Sequence, residues 1–252
     1  MKDNNYILSI AGFDPSSGAG LTADIRTFEA HGLYGLSVCT AITVQNDIAF
    51  KSCTWVDEEI IISQIETLFE RFSIQVVKIG IMESWSRLLR VIQTLKKLNP
   101  TIKIILDPIV KASAGFDFHT HENQELLNAI WKECFISTPN YEEIKLLYPN
   151  LNSSETIAHM SSLTNLYVKG GHREDKKGWD ELYHSKIVMM SIPPKVDMVY
   201  EKHGSGCVLS SSLASNLLLG FDIEDAAKNA KYYTEQFLLS NKSLLGTHEY
   251  KG

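Results

Sequence analysis

The sequence predicts an α/β fold of three layers, a mostly parallel sheet covered by helices on both faces, and three observations lead there. Short apolar, β-branched runs alternate with longer segments of helical period, the order that βαβ units produce. The chain has 252 residues, of which 44% are hydrophobic and 21% charged, enough to bury a sizeable core. Neither an internal repeat nor a low-complexity linker interrupts it, so a single domain over 1–252 is expected.

The first strand is expected at "YILSI" (6–10), followed by a helix over 20–31 in which Leu21, Ile25 and Phe28 share one face. A strand at "LSVCTAITVQ" (36–45) leads to a helix over 58–71. There "DEEIIISQIETLFERF" places acids in the first turn and a base near the end, as the helix dipole favours. Strands at "QVVKIG" (75–80), "IKIILD" (102–107), "CFIST" (134–138) and "NLYVKG" (165–170) alternate with helices at 84–98, 122–132, 140–148 and 155–162. The segment 179–198 breaks the rhythm and predicts a β-hairpin with a Pro-Pro linker, and helices at 205–219 and 223–240 follow.

A net charge of −6 argues against a nucleic-acid partner. The four cysteines, at 39, 53, 134 and 207, are widely spaced with no CxxC pair, which argues against a zinc site or disulfide framework. Nothing at the N-terminus reads as a signal peptide and no apolar run is long enough for a membrane span, so a cytoplasmic protein is expected.

In open parallel sheets ligands bind beyond the carboxyl ends of the strands. After the first strand, "AGFDPSSGAGLTAD" is neither G-x-G-x-x-G nor G-x-x-x-x-G-K-[ST]. Asp14 and Ser16 suit local caps there. Asp24, one turn into the helix, either takes donors from a polar ligand or serves as a helix N-terminal charge. Gln45, ending its strand, could read the edge of a heteroaromatic ring. Asp107 ends another strand where a carboxylate can meet a divalent cation. Asn140 and Glu143 fit a capping box, yet with Asp107 they also form an oxygen-rich group of the kind that suits Mg²⁺. Lys169, at a strand end before two glycines, is placed for a phosphate or for solvent.

The stretch "KHGSGCVLSSSLASNLLLG" sets a glycine-rich turn against a helix start. The amides of Gly204, Ser205, Gly206 and Cys207 would face a common point, which is an anion site. A helix N-terminus is expected to lower the Cys207 thiol pKa, making it a proton acceptor in phosphoryl transfer. The plainer alternative is a small buried hydrophobe.

Taken in order, "ILSIAGFDPSSGAGLTADIRTFEAHGLYG", "TAITVQN", "VKIGIM", "LDPIVKASAG", "TPNYEEIKLL", "VKGGH" and "HGSGCVLSSSLASNL" resemble the hydroxymethylpyrimidine and phosphomethylpyrimidine kinases of thiamine biosynthesis, over nearly the whole chain. The resemblance implies a ribokinase-like fold and ATP- and Mg²⁺-dependent phosphorylation of a pyrimidine hydroxymethyl group, then of the monophosphate. It implies that Gly12, Asp24 and Gln45 line the pyrimidine pocket, with Ile81 and Ile109 near the ring. Gly204, Ser205 and Gly206 would form the anion hole and Cys207 would be the general base. Asp107 and Glu143 would serve the metal, Asn140 and Lys169 the nucleotide, and the family suggests a homodimer. Phe13, Ser17, Ile81 and Lys202 depart from its usual residues; Lys202 could favour the phosphorylated substrate or be a surface lysine. A pyridoxal kinase and a silent vitamin-binding sensor are the rival readings. The three acting groups Asp107, Glu143 and Cys207 together weigh against the second.

Overall fold

The structure is a computed structural model that describes residues 5–110, 124–171, 173 and 176–249. The first two residues of the helix expected at 122–132 lie outside them, as do parts of "LDPIVKASAG" and "VKGGH".

From the N-terminus, β1 (Tyr6–Phe13), α1 (Gly20–Ala30), β2 (Tyr34–Gln45) and β3 (Phe50–Trp55) come first. Then α2 (Glu58–Arg71), β4 (Val76–Ile79), α3 (Trp85–Leu98), β5 (Lys103–Leu106), α4 (Gln124–Glu133) and β6 (Ile136–Ser137) alternate. Two helices, α5 (Tyr141–Leu147) and α6 (Ser153–Ser161), precede β7 (Asn165–Val168). The hairpin β8 (Asp180–His184) and β9 (Ile187–Ile192) follows, and α7 (Ser205–Leu218) and α8 (Ile223–Leu239) complete the described elements.

Among the described residues one nine-stranded sheet runs in the order β3-β2-β1-β4-β5-β6-β7-β8-β9. The six central strands are parallel, while β3 at one edge and the β8–β9 hairpin at the other are antiparallel. Alternate residues of each strand face opposite layers. Leu8, Ile10, Val77, Ile79, Ile104 and Leu106 pack with Ile65, Trp85, Val91, Trp131 and Ile144 of the helices on one face. Ile7, Val76, Ile105, Ile136 and Tyr167 pack with Phe28, Leu213, Ala214 and Ala230 on the other. The expected three layers are present.

The strand β3 has no counterpart in the sequence reading. Its residues "FKSCTW" are exposed or half-buried, so no apolar alternation announces it. The short β6 stands where five residues were expected. Hydrogen bonds from Phe135 N to Ile104 O (2.9 Å) and Thr138 N to Leu106 O (2.9 Å) extend its pairing on both sides.

Helix α7 is unusual in being buried continuously from Cys207 to Leu217 despite its serines. Each buried polar group must then find a partner inside. Ser215 Oγ donates to Ser211 O (2.8 Å) and Asn216 Nδ2 to Ser212 O (2.8 Å). Ser211 and Ser210 instead turn to carboxylates, as described below. No described helix is long and apolar enough to cross a membrane.

Candidate active site

Because the six central strands are parallel, their carboxyl ends share one edge, and α7 points its N-terminus at the same edge. Two glycine-rich loops meet there. Gly204, the N-cap of α7, has φ of +74° and is pressed so closely on the first loop that a methyl group on it would lie 1.9 Å from the Gly18 carbonyl oxygen. Asp14, 1% exposed, shapes that first loop by accepting from Ser16 N (2.8 Å), Ser16 Oγ (2.8 Å) and Ala19 N (2.9 Å). Its remaining partner is His203, whose Nε2 donates to Oδ2 at 2.9 Å. Burial alone would raise the Asp14 pKa, but His203 and these loop donors outweigh it and hold the carboxyl below its usual range.

Gly206, in the first turn of α7, faces the second group. A methyl there would lie 3.3 Å from Lys169 Nζ and 3.9 Å from Asp107 Oδ2. Lys169 Nζ donates to Asp107 Oδ1 (2.8 Å) and stands 3.8 Å from Glu143 Oε2. Thr138 Oγ1 and Ser210 Oγ also donate to Asp107, at 3.2 and 3.3 Å. Burial opposes the charge of Lys169, yet Asp107 and Glu143 beside it raise its pKa. Glu143 is pushed up to about 7, by burial first, with Lys169 opposing and Asp107 adding to the rise.

Asn140 and Glu143 form the capping box that the sequence allowed: Glu143 N donates to Asn140 Oδ1 (2.9 Å) and Asn140 N to Glu143 Oε2 (2.7 Å). The cap also sets Glu143 Oε2 3.8 Å from Lys169 Nζ, beside Asp107. Asn140 also pairs with Lys169 in an isolated parallel bridge, so α5 begins beside the end of β7.

A third group lies on the β1–β2 side. Gly12 abuts Ile81 so tightly that a methyl on it would come within 2.5 Å of Ile81 Cδ1. Thr40 Oγ1 fixes Ile81 by donating to its carbonyl (2.8 Å). Gln45 is half-buried at the end of β2 opposite Phe50, and Ile109 is half-buried two residues beyond Asp107. Neither is drawn into the contacts just described, beyond the Ile109 amide donating to Asp107 O (2.9 Å).

Three expectations need correction. Asp24 is wholly buried, and its carboxylate already accepts from Lys78 Nζ (2.9 and 2.8 Å), Ser9 Oγ (2.5 Å) and Ser211 Oγ (2.7 Å). With both oxygens taken by protein donors, it lies beneath the site and does not line a ring pocket. Cys207 does not have a lowered pKa: burial pushes the thiol up to about 11, although the Lys78 ammonium pulls the other way. Desolvation outweighs the helix dipole here. Lys202 neither faces a phosphate nor lies on the surface. It is 5% exposed, and its Nζ donates to the carbonyls of Asn241 (2.5 Å) and Ser243 (2.7 Å).

The sequence reading overlooked Lys78, Thr138, Ser210 and His203. Lys78 left a signal, a lone cation in the middle of an apolar strand. It is held charged, above its usual pKa, by the Asp24 carboxylate, although burial works against that charge. The other three carry no pattern that sequence spacing reveals.

Residues 14–250 match the family described as phosphomethylpyrimidine kinase. A hydroxymethylpyrimidine/phosphomethylpyrimidine kinase of Aquifex aeolicus is 34% identical over 246 residues, covering 94% of this chain and 95% of that one. A crystal structure of a phosphomethylpyrimidine kinase from Clostridium difficile is 32% identical, covers 91% of this chain and 97% of that one, and superposes with a TM-score of 0.75. A pyridoxal kinase from Staphylococcus aureus in complex with AMP-PCP and pyridoxal gives a TM-score of 0.79 at 22% identity, covering 97% and 93% of the two chains, a likeness of fold. Two glycine loops that interlock at the carboxyl edge of a ribokinase-like sheet, and a match that runs through both of them, make one conclusion plain: this chain belongs to the phosphomethylpyrimidine kinase family.

Proposed function

We propose that the protein transfers the γ-phosphoryl group of ATP to the hydroxymethyl oxygen of 4-amino-5-hydroxymethyl-2-methylpyrimidine, and then phosphorylates the monophosphate to the diphosphate. The observation that carries this reading is the meeting of the α7 N-terminus with Lys169 and Asp107 at Gly206. Phosphoryl transfer needs positioning and charge stabilisation more than covalent help, and free amides beside a buried cation supply both.

In this reading Gly12 and Ile81 form the floor under the pyrimidine, Ile109 borders it, and the Gln45 amide pairs with the ring edge. Gly204, Ser205 and Gly206 direct their amides at the migrating phosphoryl group. The hydroxymethyl oxygen attacks phosphorus, the bond to ADP breaks, and Cys207 takes the hydroxyl proton in its thiolate form. Lys169 and Asn140 serve the nucleotide side. Asp24 acts from below, by holding Lys78 near the thiol.

Asp107 and Glu143 supply only oxygen, the donor set a hard cation prefers, and two carboxylates suit Mg²⁺ that draws its other ligands from water and phosphate. Lys169 already neutralises part of their charge, which fits a metal shared with a polyanionic nucleotide. Bound there, Mg²⁺ would neutralise the phosphates of ATP. A homodimer and a cytoplasmic setting belong to the same reading.

The test is a product assay by mass, with Mg-ATP and either the pyrimidine or pyridoxal. Pyrimidine monophosphate followed by diphosphate is the expected result. A higher kcat/KM for pyridoxal would change the substrate, and ring binding without ADP release would end the kinase reading.

A further inference from the structure

His203 occupies a position that none of the roles above uses. Its Nε2 donates to Asp14 across a sequence separation of 189 residues, with side chains only 11% and 1% exposed. The ring also fills the space beside Gly18, where a methyl would come within 2.5 Å of His203 Cδ2. Its backbone is tied from the other side, because His203 N donates to Leu244 O (2.9 Å). The preceding residue, Lys202, anchors the same C-terminal segment through Asn241 O and Ser243 O. The next residue, Gly204, is the left-handed N-cap that presses on Gly18.

Asp14 is equally committed to the first loop. Besides His203 it accepts from Ser16 and Ala19, which leaves no oxygen for a ligand. That loop holds two further left-handed residues, Ser17 (φ 60°) and Gly20 (φ 58°). Such conformations persist only where surrounding contacts fix them. One charge-assisted hydrogen bond thus joins the loop leading from Gly12 to the loop leading into Cys207.

We infer that His203 is a positioning residue: clasped by Asp14, it sets the register of the Gly204–Cys207 loop against the Gly12–Gly20 loop and so fixes the distance between phosphoryl acceptor and anion cradle. This rests on the phosphoryl-transfer reading. The imidazole is turned to Asp14 and packed beside Gly18. It acts through the backbone of its neighbour Gly204, the residue whose left-handed turn directs the first amides of α7. A small displacement of such a loop is costly for transfer and cheap for binding, because reaction rate depends more steeply on alignment than affinity does.

The experiment compares the full chain with its His203→Leu, His203→Gln and Asp14→Asn variants. Two readouts are taken: steady-state kinetics with Mg-ATP and pyrimidine, and amide hydrogen exchange of peptides spanning residues 202–208 and 14–20. In His203→Leu, kcat falls by about a hundredfold while KM for the pyrimidine stays within about threefold. Exchange in both peptides accelerates by about tenfold or more, the scale of one lost charge-assisted bond, while β1 and β4 remain protected. His203→Gln, whose amide nitrogen replaces the donor, restores most of both. Asp14→Asn loosens the same two peptides and carries the test if His203→Leu does not fold. Unchanged exchange in the loop peptides overturns the inference, and so does loosened exchange with wild-type turnover. Lost turnover with unchanged exchange overturns it too, since the ring would then act by direct contact. Should the wild-type chain transfer no phosphate, the kinase reading fails by itself, and the exchange data still decide whether this pair couples the loops.

Discussion

Lys78 and Asp24 meet with neither side chain exposed to solvent, the ammonium 2.9 and 2.8 Å from the two carboxylate oxygens. Removing one partner of such a pair strands the other charge in a dry interior. Lys78→Met is expected to destabilise the fold by ~3–5 kcal/mol. The double variant Lys78→Met with Asp24→Leu is expected to recover most of that loss. Urea unfolding at neutral pH checks both, and a double variant no better than the single one would show that the pair is not the cause.

Burial pushes the Cys207 thiol to about 11, so the thiolate is scarce at neutral pH. If thiolate takes the hydroxyl proton, kcat rises with pH, by about tenfold per unit well below that value. Cys207→Ser is expected to lower kcat by about 10²-fold with little change in ring affinity, and to flatten that slope. A wild-type profile that is already flat from pH 6 to 9 would remove the thiolate from the chemistry.

Gly204 and Gly206 are separated by one residue and predict opposite outcomes. Alanine at Gly206 meets the end of the flexible Lys169 side chain at 3.3 Å and Asp107 Oδ2 only in ordinary contact at 3.9 Å. It also improves helix propensity by ~1 kcal/mol, so the melting temperature holds or rises. The added methyl crowds the point where Lys169 faces the α7 amides, and kcat/KM for ATP is expected to fall by about tenfold or more. Alanine at Gly204 must adopt φ of +74° and meets the Gly18 carbonyl, which is backbone and cannot swing aside. Both melting temperature and activity are expected to drop. Calorimetry beside kinetics separates the two glycines.

His248 gives a stability signature in mild acid. It is 9% exposed and receives the Tyr233 hydroxyl at 2.8 Å. Burial first, then Arg26 and His31, lowers its pKa to about 4. The folded pKa lies below the unfolded one, so the unfolded chain binds the proton more readily. Its contribution is complete above about pH 6.5 and is lost as pH falls toward 4. Between pH 7 and 5 the melting temperature should fall more steeply in the wild type than in His248→Gln. Parallel curves would contradict this.

The parallel core of the fold was legible because strands buried on both faces, such as β4 and β5, must be apolar, and their buried runs are, Lys78 apart. Strand β2 is exposed at Ile42 and Val44 and was readable from its β-branched residues. Helix α2 has the same bounds in sequence and structure, 58–71, since its charges and period agree. The edge strand β3 was not legible, because none of its residues is fully buried and no apolar alternation marks it. At the site, residue types were readable but surroundings were not. Asp24 and Cys207 stand where the motifs put them, yet burial inverts what was expected of the thiol and takes the carboxylate out of reach of a ligand. Lys202 shows the same limit: the partners that bury it, the carbonyls of Asn241 and Ser243, lie about forty residues away in the chain.

Because Gly204 rests on Gly18, and His203 on Asp14, the candidate site unites the loop after β1 with a region some 190 residues downstream. During synthesis the strands from β1 to β7 have emerged long before that downstream region leaves the ribosome. Contacts so distant along the chain form late. The two glycine-rich loops therefore meet only after the stretch that carries α7 has been made and the helix has docked its Leu209, Leu213 and Leu217 on the sheet.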